Sequence, residues 1–61
     1  MGYTRTEYPF QMRSLAPMVR SKAIEIVNEL LREGMELKAA IETAINRARD
    51  WAVNRMEIKN S

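Results

Sequence analysis

Glu25, Glu29 and Glu33 recur every fourth residue, and on a helix that spacing stacks their carboxylates into one ridge. Such a ridge could hold a cation or meet a basic partner. The geometry speaks against a metal, because hard cations gather oxygen ligands from a turning loop, whereas a straight helix presents them in a row. Lys22 and Arg32 stand within a turn of the ridge and relieve its like-charge repulsion, about 0.2–0.5 kcal/mol per pair. A solvated polar face is the reading that survives. The chain has neither histidine nor cysteine, which removes the usual zinc, iron and copper sites. Ser21 fails as a nucleophile for the same reason: no histidine exists to act as its base, and Lys22 beside it points to another face. No catalytic, cofactor or metal residue is assigned, no small-molecule substrate is evident, and the expectation is a protein that is not an enzyme.

The aromatic residues offer more. Tyr3, Tyr8, Phe10 and Trp51 can be core anchors or contacts to a partner. In so small a domain Phe10 and Trp51 are expected in the core, while all four remain candidates for partner contact. Thr4, Arg5 and Thr6 are the candidates for nucleic-acid contact, because Tyr3-Thr4-Arg5-Thr6 could form the ribbon of a ribbon-helix-helix repressor. The run from Leu31 to Ile45 is similar to the helix–glycine–helix segment of such repressors. The fit is partial: Pro9 and Pro17 interrupt the passage from ribbon to helix, and Glu36 and Lys38 follow the glycine where a hydroxyl is favoured. A second helix opening on Glu36 also brings a carboxylate toward phosphates.

These side chains need elements to hold them. Pro9 restricts Tyr8 to extended geometry and can open a short helical turn through Arg13. Pro17 suits the first turn of a main helix, expected over 16–33. Val19, Ala23, Ile24, Ile26, Val27, Leu30 and Leu31 cover a broad arc of that helix, and Arg20 alone intrudes on it. Gly34 closes the helix, being the residue that adopts positive φ without steric cost. A second helix, expected over 36–56, carries Leu37, Ile41, Ala44, Ile45, Ala48, Trp51 and Ala52 on a narrower stripe. Ala40, Ala44 and Ala48 would let the first helix approach closely, with Trp51 closing one end of the contact.

The first arc is too wide for the second helix to bury, so the N-terminal segment 1–15 or a second copy of the chain must cover the remainder. Tyr3, Tyr8, Phe10, Met12, Leu15 and Met18 are the residues available. The expected fold is therefore all-α: an antiparallel two-helix hairpin with an N-terminal extended and short-helix segment packed across it as a third element. One domain over 1–61, with a C-terminal tail at 57–61, accounts for the whole sequence.

Sixty-one residues lie near the size at which a single core barely stabilises a fold. The net charge of +2 matters less than its distribution, which is basic at both ends and acidic in the middle. An antiparallel hairpin would gather the basic ends into a modest positive pole. Arginines near a helix C-terminus are also favoured by the macrodipole, so a solvated face outweighs a nucleic-acid patch. The absence of cysteine excludes a disulfide framework. No apolar run approaches the ~20 residues that span a bilayer, and the start lacks the basic-then-apolar order of a secretory signal. No membrane association is expected, and a cytoplasmic location is.

Tyr8-Pro9, Met12, Leu15, Val19-Arg20, Lys22 to Ile26, Leu30-Leu31, Glu33-Gly34, Ala40-Ile41, Ala44, Ala48 and Trp51 together carry a family resemblance. The chain resembles a small uncharacterised bacterial helical domain family that has a Tyr-Pro pair followed by a helix of the type Arg-Lys-Lys-Ala-Ile-Asp-Ile-Ala-Asn. It departs at Gly2-Tyr3, where such proteins often carry Pro-Trp. The resemblance covers nearly the whole chain and implies a fold unit that occurs alone or ahead of another small domain; it implies no activity or ligand. Function is expected to be protein–protein interaction or self-association, a homodimer included, with DNA binding of ribbon-helix-helix type as the alternative.

Overall fold

Two prolines set where the helices begin. In the computed structural model, which describes residues 2–60 and the side chains of residues 2–55, Pro9 precedes a single 3-10 turn, Phe10–Met12. Its carbonyl accepts from Met12 N–H at 2.9 Å, and Leu15 N–H donates back to Met12 O at 3.1 Å. The chain is thereby turned into Pro17, which occupies the first position of α1, Pro17–Arg32. Ala16 provides no side-chain cap there. The first helical bond instead runs from Arg20 N–H to Ala16 O at 2.7 Å, and the missing proline donor is one the helix would have left unsatisfied anyway.

Gly34 ends α1 as its type demands. Its φ of 95° lies where a side chain is strained, and it closes a Schellman turn. Gly34 N–H donates to Leu31 O and Met35 N–H to Leu30 O, both at 3.0 Å, the paired bonds that satisfy a helix's last carbonyls. The second helix, α2, runs Leu37–Asn60. Glu36 begins it: its carbonyl accepts from Ala40 N–H at 2.8 Å, and its carboxylate reaches forward to Ala39 N–H at 3.1 Å. That is the work a hydroxyl or a shorter acid usually does at this position, with the negative charge placed favourably at the helix start.

α2 extends past Met56, where the sequence pattern placed its end and a tail at 57–61. The apolar stripe runs out there, but Glu57, Ile58 and Lys59 include no glycine or proline to break the backbone, so the helix continues. At about 1.5 Å per residue, α2 alone accounts for nearly all of the 38 Å long axis of the molecule. No strand occurs among the described residues, and no described helix is long and apolar enough to cross a membrane.

The two helices pack on a seam of small residues. Ala23 of α1 and Ala40, Ala44 and Ala48 of α2 are wholly inaccessible, which is how backbones come close with nothing but methyl groups between them. Ile24, Val27, Leu30 and Ile41 fill the flanks, and Met12 and Leu15 from the N-terminal segment belong to the same buried cluster. Met12 and Val27 are its largest fully buried side chains. Tyr3, Tyr8, Val19, Ile26, Leu31 and Ile45 lean on it from the rim.

Three residues expected inside are out. Phe10 is 70% exposed and Met18 59%. A 3-10 turn has three residues per turn, so Phe10 and Met12 cannot share a face, and Met12 takes the inward position. Met18 stands on the side of the α1 wheel opposite Ala23 and Val27, out of reach of the core. Leu37 is also largely exposed, because at the first position of α2 it lies beside the turn rather than alongside α1.

Candidate functional site

The N-terminal strap is tied to α1 by two polar residues. Tyr3 N–H donates to Asn28 Oδ1 at 2.7 Å, and Asn28 Nδ2 donates to Tyr3 O at 2.9 Å. One carboxamide thus satisfies both backbone groups of one residue, as a neighbouring strand would. The approach is close enough that a Cβ on Gly2 would stand 2.8 Å from Asn28 Oδ1. Asn28 sits among polar residues on the wheel and reads as solvated; its partner is 25 positions away, which no local pattern reveals.

Arg20 is the second tie. Its Nη1 donates to the Tyr8 hydroxyl at 3.0 Å, its Nη2 to Leu15 O at 3.0 Å, and its guanidinium carbon stands 5.0 Å from the Tyr8 ring centre. The intrusion of a cation on the apolar arc is explained by this: the planar fork holds both ends of the segment from Tyr8 to Leu15 onto α1. Its Nε is buried without a partner.

Thr4, Arg5 and Thr6 lie in a closed turn. Thr4 N–H donates to Glu7 O at 2.7 Å and Glu7 N–H to Thr4 O at 3.2 Å. Thr4 Oγ1 also accepts from Thr6 N–H at 3.3 Å and from Glu7 N–H at 3.1 Å. Its hydroxyl is occupied by the local backbone.

The glutamate ridge is charge-balanced in pieces. Lys22 Nζ lies 3.1 Å from Glu25 Oε1 and Arg32 Nη2 3.4 Å from Glu29 Oε1, and Arg47 of α2 borders the same depression as Glu29 and Glu33. Among the described residues no three carboxylates gather into a common site.

Trp51, expected in the core, is half-buried and stands beside α1 at Lys22 rather than against the buried cluster. Lys22 Nζ is 5.3 Å and the Arg55 guanidinium carbon 4.9 Å from its ring centre, both within cation–π range. Met18, Ser21, Lys22, Glu25 and Trp51 border one shallow groove there. Phe10 stands apart from the core with Arg13 4.4 Å over its ring. Of the four aromatic candidates, Tyr3 and Tyr8 belong to the strap, Trp51 to this groove and Phe10 to open surface; the structure does not gather them into one site.

No protein-family model and no solved structure matches the chain. It is 39% identical over 54 residues to the uncharacterized protein YdaT of Bacillus subtilis (strain 168), an alignment covering 88% of this chain and 36% of that protein. The chain thus spans about a third of the length of that relative. The likeness bears out the resemblance to a small bacterial family of uncharacterised proteins, and it carries no activity with it.

Proposed function

We propose that α1 and α2 form an antiparallel hairpin with residues 1–15 as its third element, and that this unit is a non-enzymatic cytoplasmic module that binds another protein or a second copy of itself. The contact of Lys22, in the first half of α1, with Trp51, past the middle of α2, supports the antiparallel arrangement, as does the short connection from Glu33 to Glu36. The observation that carries the functional reading is the exposure of Phe10, Met18, Met35, Leu37 and Val53 in a chain whose own seam is filled by alanines. Single exposed apolar residues are ordinary. Five on a domain this small, with Phe10 outside both α-helices, leave apolar side chains at more than one place for a partner to cover.

Photocrosslinking in cells tests it. A benzophenone side chain at position 10, 18 or 37 is expected to trap a discrete protein or a second copy, while the same group at Lys38 or Glu42 traps neither. Equal labelling at all five positions would remove the proposal. DNA binding remains the second reading on the strength of the helix–glycine–helix pattern, but the turn that occupies Thr4 and Thr6 weighs against a ribbon. Absence of binding to random duplex below ~100 μM at low salt would remove it, given typical non-specific affinities.

A further inference from the structure

We propose that the Met18–Trp51 groove is the docking site for an acidic amphipathic protein segment, one that places an apolar side chain against Trp51 and carboxylates against Lys22 and Arg55. This rests on the interaction reading above and gives it a surface and a partner chemistry.

Charge complementarity carries the argument. From Tyr8 to Ile24 the sequence contains no carboxylate, while Arg13, Arg20 and Lys22 fall in that stretch; from Trp51 to Met56 there is again none, and Arg55 falls there. The contacts of Lys22 and Arg55 with Trp51 bring one cation from each of these stretches to one place in the fold, while Arg13 stands over Phe10 and Arg20 on Tyr8 and Leu15. Two cations over an indole leave the ring a weak competitor for them, since a cation–π contact at an exposed site is modest and a desolvated carboxylate contact stronger.

Among the described residues Glu25 is the acid that lines the groove. It holds Lys22 at 3.1 Å, but its side chain is 71% exposed, and an exposed pair of this kind exchanges readily for another. Apolar content separates the partner classes. Met18, 59% exposed, and the open part of Trp51 offer the sugar–phosphate backbone of a duplex, whose bases are already stacked, nothing to match, and Glu25 repels it; a helix bearing leucines beside glutamates matches both features.

Trp51 is the chain's sole tryptophan, so its fluorescence reports on this groove alone. The probe is a four-turn synthetic helix with leucines along one face and glutamates beside them, titrated into the full chain at low and at moderate salt. A saturable change in Trp51 emission is expected, weakening with salt. The double variant K22E/R55E should weaken it roughly tenfold or more, as loss of complementary charge does. Met18→Ala should weaken binding, and Glu25→Gln should tighten it by removing the internal competitor.

Far-UV circular dichroism of each variant establishes that it is folded. If K22E/R55E alone is unfolded, the opposite responses of Met18→Ala and Glu25→Gln decide. No emission change with the peptide, equal binding by Glu25→Gln and the unaltered chain, or tighter binding of duplex DNA than of peptide would overturn the proposal. Crosslinks from positions 10 and 37 that persist alongside such a result would leave the interaction reading standing and remove only this surface.

Discussion

Replacing Asn28 by alanine should release the N-terminal strap while leaving the helix pair folded. The substitution removes two hydrogen bonds, at 2.7 and 2.9 Å, each worth about 1 kcal/mol net. Because Tyr3 is only half-buried, its freed N–H and C=O can turn to water and the full cost of an unsatisfied group is avoided. Alanine in mid-helix returns up to ~0.7 kcal/mol of propensity relative to asparagine. The net loss is then about 1 kcal/mol, or a fall in Tm of about 4–8 °C for a domain of this size.

The local effect should be larger than the global one. Hydrogen exchange at the Tyr3 amide is expected to accelerate toward the unfolded rate, while amides of Val27 and Ala44 keep most of their protection. Asn28→Asp discriminates further: it keeps an acceptor for Tyr3 N–H but sets a carboxylate oxygen against Tyr3 O, so it should free the strap more completely than alanine despite its similar shape. Wild-type exchange at Tyr3 in Asn28→Ala, or a strap more protected in Asn28→Asp than in Asn28→Ala, would refute the reasoning.

Other expectations follow from the same contacts. Met12→Ala should cost about 2–5 kcal/mol by the usual penalty for emptying a core site, a loss that denaturant titration would register as near-complete unfolding. Gly34→Ala should cost about 1–2 kcal/mol from its left-handed backbone alone, since nothing lies within 4 Å of the added Cβ; a D-alanine there, made by synthesis, should be tolerated. Glu36→Ala should lower stability by about 0.5–2 kcal/mol through loss of the cap, and Glu36→Asp should restore it; equal melting curves for the two would show that the carboxylate does not cap. Ala44→Leu should overpack the seam and cost about 1–3 kcal/mol or more, read by thermal melting.

Much of the scaffold was legible because it depends on local rules. Pro9, Pro17 and Gly34 act on their own backbone, and each does in the structure what its ring or missing Cβ dictates. Ala40, Ala44 and Ala48 fall on one face by period alone. What was not legible is what depends on distant partners or on competition for one inward position. Phe10 and Met12 were both candidates for the core, and only the tightness of a 3-10 turn decides between them. Glu36 looked like a departure from the hydroxyl expected after a helix-ending glycine, yet its longer side chain reaches the same backbone donor. Asn28 carried no signal beyond its mild unsuitability for mid-helix.

Arg20 shows why the exception to a pattern is informative. A guanidinium on an apolar arc costs desolvation unless its donors are met, and two of them are met by the Tyr8 hydroxyl and Leu15 O. Both partners lie in the N-terminal segment, not in α2. The charge on the arc is therefore met by that segment rather than by the second helix, and the Asn28 pair lies two turns further along the same helix. Polar ties at these two points are suited to fix the register of that segment, whose buried apolar residues, Met12 and Leu15, gain from a hydrophobic effect that is not directional. Arg20→Met tests the distinction between register and mere burial. It fills much of the same space without donors, so the loss of two hydrogen bonds, about 1 kcal/mol each, is offset in part by removal of a desolvated charge, and the change in stability should stay small. Exchange at the amides of residues 10–15 should nevertheless rise several-fold as the strap loses its unique seat. Unchanged exchange there would mean that packing alone positions the segment.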